Sequence, residues 1–324
     1  MLYLRPDRIG DMIMVTGLLR SIATSHPTIE LDVLASAGNA PVLDGNPHVR
    51  RVWTVDRRRW PSLLRTIRAL RGSRYDVVID GSAPPSPISG TGLLLMMGSG
   101  ARYRIGIAGR RGDAVYTLPV TPAEPGSLMQ LHMARVLEPF GVSPTVADLA
   151  YEMFLRDDER QRAEALWRRE PGHPRLLINV SAFTPDRRWP QERFEALAAH
   201  LRRVRPDARI LVVGDPKDGP VVAAVAAAGK GEAAHVSPVR EAFALVASAD
   251  ALITPDTSLS HAAAAFGTPV ATMFRSDWQW QAPLHSSLVS IVSDGPRLDA
   301  LPVETALKGA EQLLAMVANR GPAR

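Results

Sequence analysis

The chain predicts an α/β protein made of two doubly wound, Rossmann-like domains with parallel sheets, and three observations carry that expectation. Short β-branched runs alternate with longer helical patterns along the whole length, the order that builds parallel sheets covered by helices. At 324 residues the chain is long enough for two domains of ordinary size. A charged, helically patterned segment, Arg156–Glu170, precedes a fresh strand at Leu176 and reads as the connection between them. The expected division is therefore 1–155 and 156–324, with the last helix free to cross back to the first domain.

The elements follow in order. Leu2-Tyr3-Leu4 reads as an opening strand that leads into a helix from Met12 to about Ala23. Further strands are expected at Leu31–Leu34, Val52–Val55 and Val77–Ile79. The second half predicts strands at Leu176–Val180, Ile210–Val213, Ala251–Thr254 and Val270–Phe274. Phe194, Leu197, Ala198, Leu201 and Val204 fall on one helical face, with Pro190 suited to the first turn and Pro206 closing the helix. Val303, Leu307, Ala310, Leu314 and Val317 mark a last helix at spacings of four and three. Met1 leads straight into a strand without a secretory pattern, and the most apolar stretches are broken by Gly or Pro. A cytoplasmic protein is expected, with peripheral contact at the inner membrane left open.

Composition excludes several chemistries. Without cysteine there is no disulfide scaffold, thiolate zinc site, iron–sulfur cluster or cysteine nucleophile. Basic residues number 38 against 33 acidic ones, and all but Lys217, Lys230 and Lys308 are arginines. The excess lies in the first half and points to an anionic partner there. Gly98-Ser99-Gly100 lacks the third glycine of a dinucleotide fingerprint, and no phosphate-binding P-loop, nucleophile elbow or D-x-D metal pair occurs. Arg57, Arg58 and Arg59 with the helix after them form a basic cluster. Few aromatics accompany it, so nucleic acid is not an expected partner.

Four segments at strand ends carry candidate chemistry. In Arg5-Pro6-Asp7-Arg8-Ile9-Gly10-Asp11, Gly10 permits a tight turn or a close backbone approach, and Asp11 lies at a helix start, where it serves either as a base or as a plain cap. Asp256-Thr257-Ser258-Leu259-Ser260-His261 opens an alanine-rich helix, which suits either a phosphate or an ordinary capped terminus. Ser181 to Pro190 includes Thr184 and the adjacent Arg187 and Arg188, fit to neutralise a diphosphate or simply to face solvent. Gly214-Asp215-Pro216-Lys217-Asp218 ends another strand with a carboxylate able to accept ribose hydroxyls, or only to form a turn.

Taken in this order, the opening R-x-D-R-I-G-D, Gly45-Asn46-Pro47, Arg188-Trp189-Pro190, Asp256-Thr257 with Leu259-Ser260-His261, and Gly267-Thr268-Pro269 resemble glycosyltransferase family 9, the ADP-heptose:lipopolysaccharide heptosyltransferases. The resemblance spans nearly the whole chain. It implies a GT-B fold, two Rossmann-like domains facing a central cleft, with the acceptor on the first domain and the nucleotide sugar on the second. It further implies inverting transfer of a heptose or related sugar from an ADP-sugar, with no metal and no cofactor. Asp11 would deprotonate the acceptor hydroxyl. Ser181, Thr184, Arg187, Arg188, Gly214, Asp218 and the residues Asp256 to His261 would hold the donor. Arg8, Gly10, Arg57, Arg58 and Arg59 would face an anionic acceptor, foremost lipopolysaccharide inner core. Arg187 stands where the family usually carries a lysine, and Ser258 where it commonly carries a glycine. Asn179-Val180-Ser181 and Phe274-Arg275-Ser276-Asp277 also depart from the family pattern. These departures motivate two rivals: a member acting on a small-molecule acceptor, and a nucleotide-sugar-binding protein without transfer.

Overall fold

The computed structural model describes residues 1–82, 88–109, 112–143, 149–276 and 281–320, so Asp277 lies outside the described residues. The chain forms two compact units. Met1–Phe154, together with Gln281 and Ala282, makes the first, and the second begins at Leu155.

In the first unit β1 (Leu2–Leu4), β2 (Asp32–Ala35), β3 (Arg51–Thr54), β4 (Val77–Asp80), β5 (Tyr103–Ile107) and β6 (Leu118–Val120) pair in the order β3-β2-β1-β4-β5-β6. Every pairing is parallel. The connecting helices are α1 (Ile9–Ser25), α2 (Trp60–Gly72), α3 (Gly90–Gly98) and α4 (Met129–Ala134). Leu2, Leu4, Leu34 and Val78 from the strands meet Leu63 and Leu70 of α2 in one core. Each such side chain contributes about 1.5–3 kcal/mol on burial.

The second unit repeats this topology. Its helices are α5 (Asp157–Leu166), α6 (Gln191–Val204), α7 (Gly219–Ala228), α8 (Val239–Ser248), α9 (Ser258–Phe266) and α10 (Val303–Arg320). Strands β7 (Arg175–Asn179), β8 (Arg209–Gly214), β9 (Glu232–His235), β10 (Ala251–Pro255), β11 (Val270–Phe274) and β12 (Leu288–Val292) form a second parallel sheet. Its order is β12-β11-β10-β7-β8-β9. In both sheets the third, second and first strands precede the fourth, fifth and sixth, so chain direction reverses beside the first strand. Ligands of doubly wound folds bind at that switch point, outside the carboxyl ends of the strands.

The charged segment after residue 155 is a packed helix of this second unit. Its buried Glu159 accepts from Arg240 of α8 at 2.6 Å, and fully buried Trp167 donates to Ser248 at 2.9 Å. The last helix, α10, packs on α6 and β12 of the same unit, with Ala306, Ala310 and Leu313 buried. Four strands escaped the sequence pattern: β5, β6, β9 and β12. Helix α1 also starts earlier than expected, so Gly10 sits inside its first turn. Gly10 is not among the glycines with positive φ and takes part in the regular helix.

Candidate active site

The first switch point is built by the segment that leaves β1. Asp11 lies in the first turn of α1, with one carboxylate oxygen receiving the Arg8 backbone N–H at 3.3 Å. The capping role is therefore real, but only half the carboxylate serves it. The other oxygen meets Arg5 Nη2 at 3.1 Å, while Arg5 Nη1 donates to Asp7 at 3.1 Å. The Arg5 side chain is only 4% exposed, against 32% for Asp7 and 23% for Asp11. A buried guanidinium thus aims two carboxylates outward, a fork geometry that fixes direction as well as charge.

Buried polar side chains stand at the neighbouring strand ends, and the first of them braces this arrangement. Asn39, fully buried after β2, donates to the Arg5 carbonyl at 2.8 Å. Asp80, at the end of β4 on the other side of the switch point, accepts from the Tyr116 hydroxyl at 2.5 Å and from Ser82 at 2.7 Å. Arg57 reaches Asp7 at 3.3 Å and so joins the cluster. Arg58 and Arg59 stay exposed ahead of α2, outside that network. Arg8 is exposed at the N-cap of α1.

The second switch point reverses the charges. Arg187 pairs with Asp256 at 2.8 Å, and Arg188 with Asp218 at 3.2 Å. Here the carboxylates are the buried partners, 10% and 8% exposed, against 16% and 45% for the arginines. Asp218 also accepts from the Ser181 hydroxyl at 2.6 Å, and Ser181 in turn accepts from the Asp215 backbone at 2.8 Å. Gly214 makes this possible: a Cβ there would lie 2.8 Å from both Ser181 Oγ and Val222 Cγ2. Thr184 precedes the short turn Pro185–Arg187 that turns the arginine pair toward these carboxylates.

Helix α9 begins beside them. Thr257 caps it by accepting from the Leu259 N–H at 3.3 Å, so Asp256 is not the cap but the partner of Arg187. Asn179, at the end of β7, donates to Thr254 at 2.9 Å and so ties the two strands that flank the switch point. Ser258 occupies the first position of α9, half-buried, and Leu259, Ser260 and His261 are buried behind it. Arg275, after β11, pairs with Asp186 at 2.7 Å, so this departure from the family pattern is bound into the same loop as Arg187.

The structure therefore gathers Ser181, Arg187, Arg188, Gly214, Asp218, Asp256 and Thr257 into one network. It also gives parts to residues that the motifs alone did not single out as site residues: Arg5, Asp7 and Asn39 in the first unit, and Asn179 and Asp186 in the second, with Asp80 at the neighbouring strand end. Arg5 and Asp7 belong to the same motif as Asp11. Asp80 ends a recognisable strand, so the switch-point rule itself was the missed signal.

Two Rossmann-like units of this strand order define the fold class, GT-B. The chain belongs to glycosyltransferase family 9: the family described as "Glycosyltransferase family 9 (heptosyltransferase)" matches residues 63–301. Lipopolysaccharide heptosyltransferase 2 of Escherichia coli K12 is 24% identical over 291 residues, covering 84% of this chain and 82% of the relative. A family 9 glycosyl transferase structure from Veillonella parvula superposes with a TM-score of 0.83 at 18% identity, covering 97% of each chain. An E. coli heptosyltransferase solved with ADP-2-deoxy-2-fluoro heptose gives 0.76 at 19% identity, covering 96% of this chain and 98% of the other.

Proposed function

We propose that this glycosyltransferase moves a heptose, or a closely related sugar, from an ADP-sugar to an acceptor hydroxyl of lipopolysaccharide inner core. In this reading transfer inverts the anomeric carbon and needs no metal. The observation that carries it is the arginine pair of the second switch point, held by buried Asp256 and Asp218 at the mouth of α9. Cationic forks and a helix N-terminus together suit a diphosphate leaving group. Family membership supports the sugar-transfer chemistry. The names of the relatives support heptose and lipopolysaccharide, and the ADP-sugar analogue bound to a structural neighbour supports the donor.

The step balances simply. Asp11 takes the proton of the acceptor hydroxyl as its oxygen bonds to the anomeric carbon. The bond from that carbon to the diphosphate oxygen breaks on the opposite face, and ADP departs with the electron pair. Arg187, Arg188 and the α9 N–H groups offset the charge that develops on the departing diphosphate. Arg5 holds Asp11 in position rather than touching substrate. A glycolipid acceptor also implies contact with a membrane surface. Among the described residues no helix is long and apolar enough to cross a membrane.

The test is release of ADP from ADP-heptose by purified protein in the presence of inner-core acceptors. Turnover that Asp11→Asn abolishes supports the proposal. If ADP-sugar binds but no acceptor promotes its turnover, the non-transferring rival, motivated by Ser258 and Arg275, takes its place.

A further inference from the structure

The face of the first unit formed by α2 and α3 plays no part in the reaction described above, and its surface is unusual in two ways. First, it exposes large apolar side chains: Trp60 is 66% exposed and Met97 58%, with Leu64 and Leu94 also outside the core. Trp60, Leu64 and Arg68 follow at intervals of four along α2, so they share one outward stripe, and Arg71 continues it. Leu94 and Met97 stand three apart on α3. The two helices pack side by side. Gly98 lies so close to Ile67 that a Cβ there would come within 2.5 Å of its Cγ2.

Second, the cations beside this apolar strip have no counter-ions. Helix α2 contains no acidic residue. Among the described residues, Arg65, Arg68, Arg71, Arg74 and Arg102 make no ion pair. In the second unit Arg162 is matched with Asp158, Arg169 with Asp250, Arg205 with Asp207 and Arg209 with Glu232, while the exposed Arg160 and Arg168 stand singly rather than beside an apolar strip. Arg71, Arg74 and Arg102 line an open hollow of about 290 Å³ at the C-terminal end of the strip, in which Asp76 is the one carboxylate against three guanidinium groups.

We infer that the α2–α3 face docks on an anionic phospholipid surface, with Trp60, Leu64, Leu94 and Met97 entering the headgroup boundary and the unpaired arginines taking lipid phosphates. An amphipathic surface of aromatic and aliphatic side chains flanked by arginines matches that interface in both polarity and charge. A nucleic-acid partner would leave the four apolar side chains unused. The inference deepens the glycolipid-acceptor reading by naming the surface that meets the membrane. Because its test contains neither donor nor acceptor, the two readings can fail separately.

The experiment is co-sedimentation of the full chain with vesicles of phosphatidylcholine alone or with a quarter phosphatidylglycerol. Binding is expected only to the anionic vesicles and should weaken as salt rises. Arg68→Glu with Arg71→Glu should reduce binding at least about tenfold. Arg160→Glu with Arg168→Glu, an equal charge change at exposed unpaired positions of the second unit, should leave it within about threefold. Leu64→Ser with Met97→Ser should also lose about tenfold. On the unmodified background, tryptophan emission should shift to the blue with anionic vesicles, and Trp60→Phe should remove most of that shift while retaining binding. Equal binding to both vesicle types, equal losses from the two charge-reversal pairs, or a blue shift that survives Trp60→Phe would overturn the inference. So would concentration-dependent dimers that Leu64→Ser with Met97→Ser dissolves while no vesicles bind, since a second copy would then cover this face.

Discussion

At the switch point of the first sheet a buried arginine holds carboxylates out toward solvent, whereas at the second buried carboxylates hold out arginines. Arg5 is 4% exposed beneath Asp7 and Asp11 at 32% and 23%. Asp218 and Asp256, at 8% and 10%, lie beneath Arg188 and Arg187 at 45% and 16%. The strand order is the same in both units, and the presented charge is opposite. A doubly wound sheet fixes where a ligand binds. Which member of an ion pair is buried then decides the charge that place presents, carboxylates in one unit and arginines in the other; in the proposed reaction the first accepts a proton and the second receives an anion. Burying the counter-ion also orients the exposed partner, because a buried charge strongly resists losing its mate.

The largest effect should come from the first site. Asp11→Asn keeps the hydrogen bond to Arg8 but removes the proposed proton acceptor, and should lower kcat by about 10²–10⁴ with little change in the KM for the nucleotide sugar. Steady-state kinetics would check it, and a shift confined to the donor KM would erase the division of labour between the sites.

The pair Glu159–Arg240 serves as a control for an ion pair that carries only stability. The Arg240 hydrogen bonds hold the Glu159 carboxyl below its usual range despite the opposing effect of burial. Glu159→Gln should therefore cost about 3–5 kcal/mol at neutral pH. A carboxyl depressed in the folded state contributes stability above its unfolded pKa and loses it as pH falls through the folded value. The difference between wild type and variant should accordingly shrink below about pH 4. Denaturant titrations at several pH values measure it, and kcat of the folded variant should stay unchanged.

Arg187→Ala should lower kcat by about 10²–10³ through lost stabilisation of the leaving group. Arg187→Lys should recover most of that loss, since lysine keeps the charge and gives up only the fork. The smallest change is Gly214→Ala. Its Cβ would press on Ser181 and Val222, at a cost of about 1–3 kcal/mol in stability. It should also raise the donor KM by displacing the Ser181–Asp218 hydrogen bond, an effect with no counterpart in the first unit.

Much of this arrangement was legible in the sequence, and the part that was not has a physical reason. The central strands could be read because burial on both faces demands continuous apolar runs, as in Leu176–Ile178 and Ile210–Val213. Strand β9, Glu-Ala-Ala-His, lies at a sheet edge with one buried residue, and β6 is three residues long with Pro119 at its centre. Neither carries a periodic signal. The site residues stood out because strand-to-helix turns concentrate Asp, Gly, Thr and Arg. Their pairing did not, because Arg187 and Asp256 lie 69 positions apart and meet only through the adjacency of β7 and β10. No local pattern says which of two charged residues will be buried. That inversion between the units is the feature the structure alone supplies.

The division of roles is tested most directly by the affinity for ADP, measured by titration calorimetry on Asp11→Asn and Arg187→Ala beside the unaltered protein. Asp11→Asn should bind ADP within about twofold of the original, and Arg187→Ala at least about tenfold more weakly, a loss of about 1.4 kcal/mol. Undiminished ADP affinity in Arg187→Ala, or an equal loss in Asp11→Asn, would contradict it.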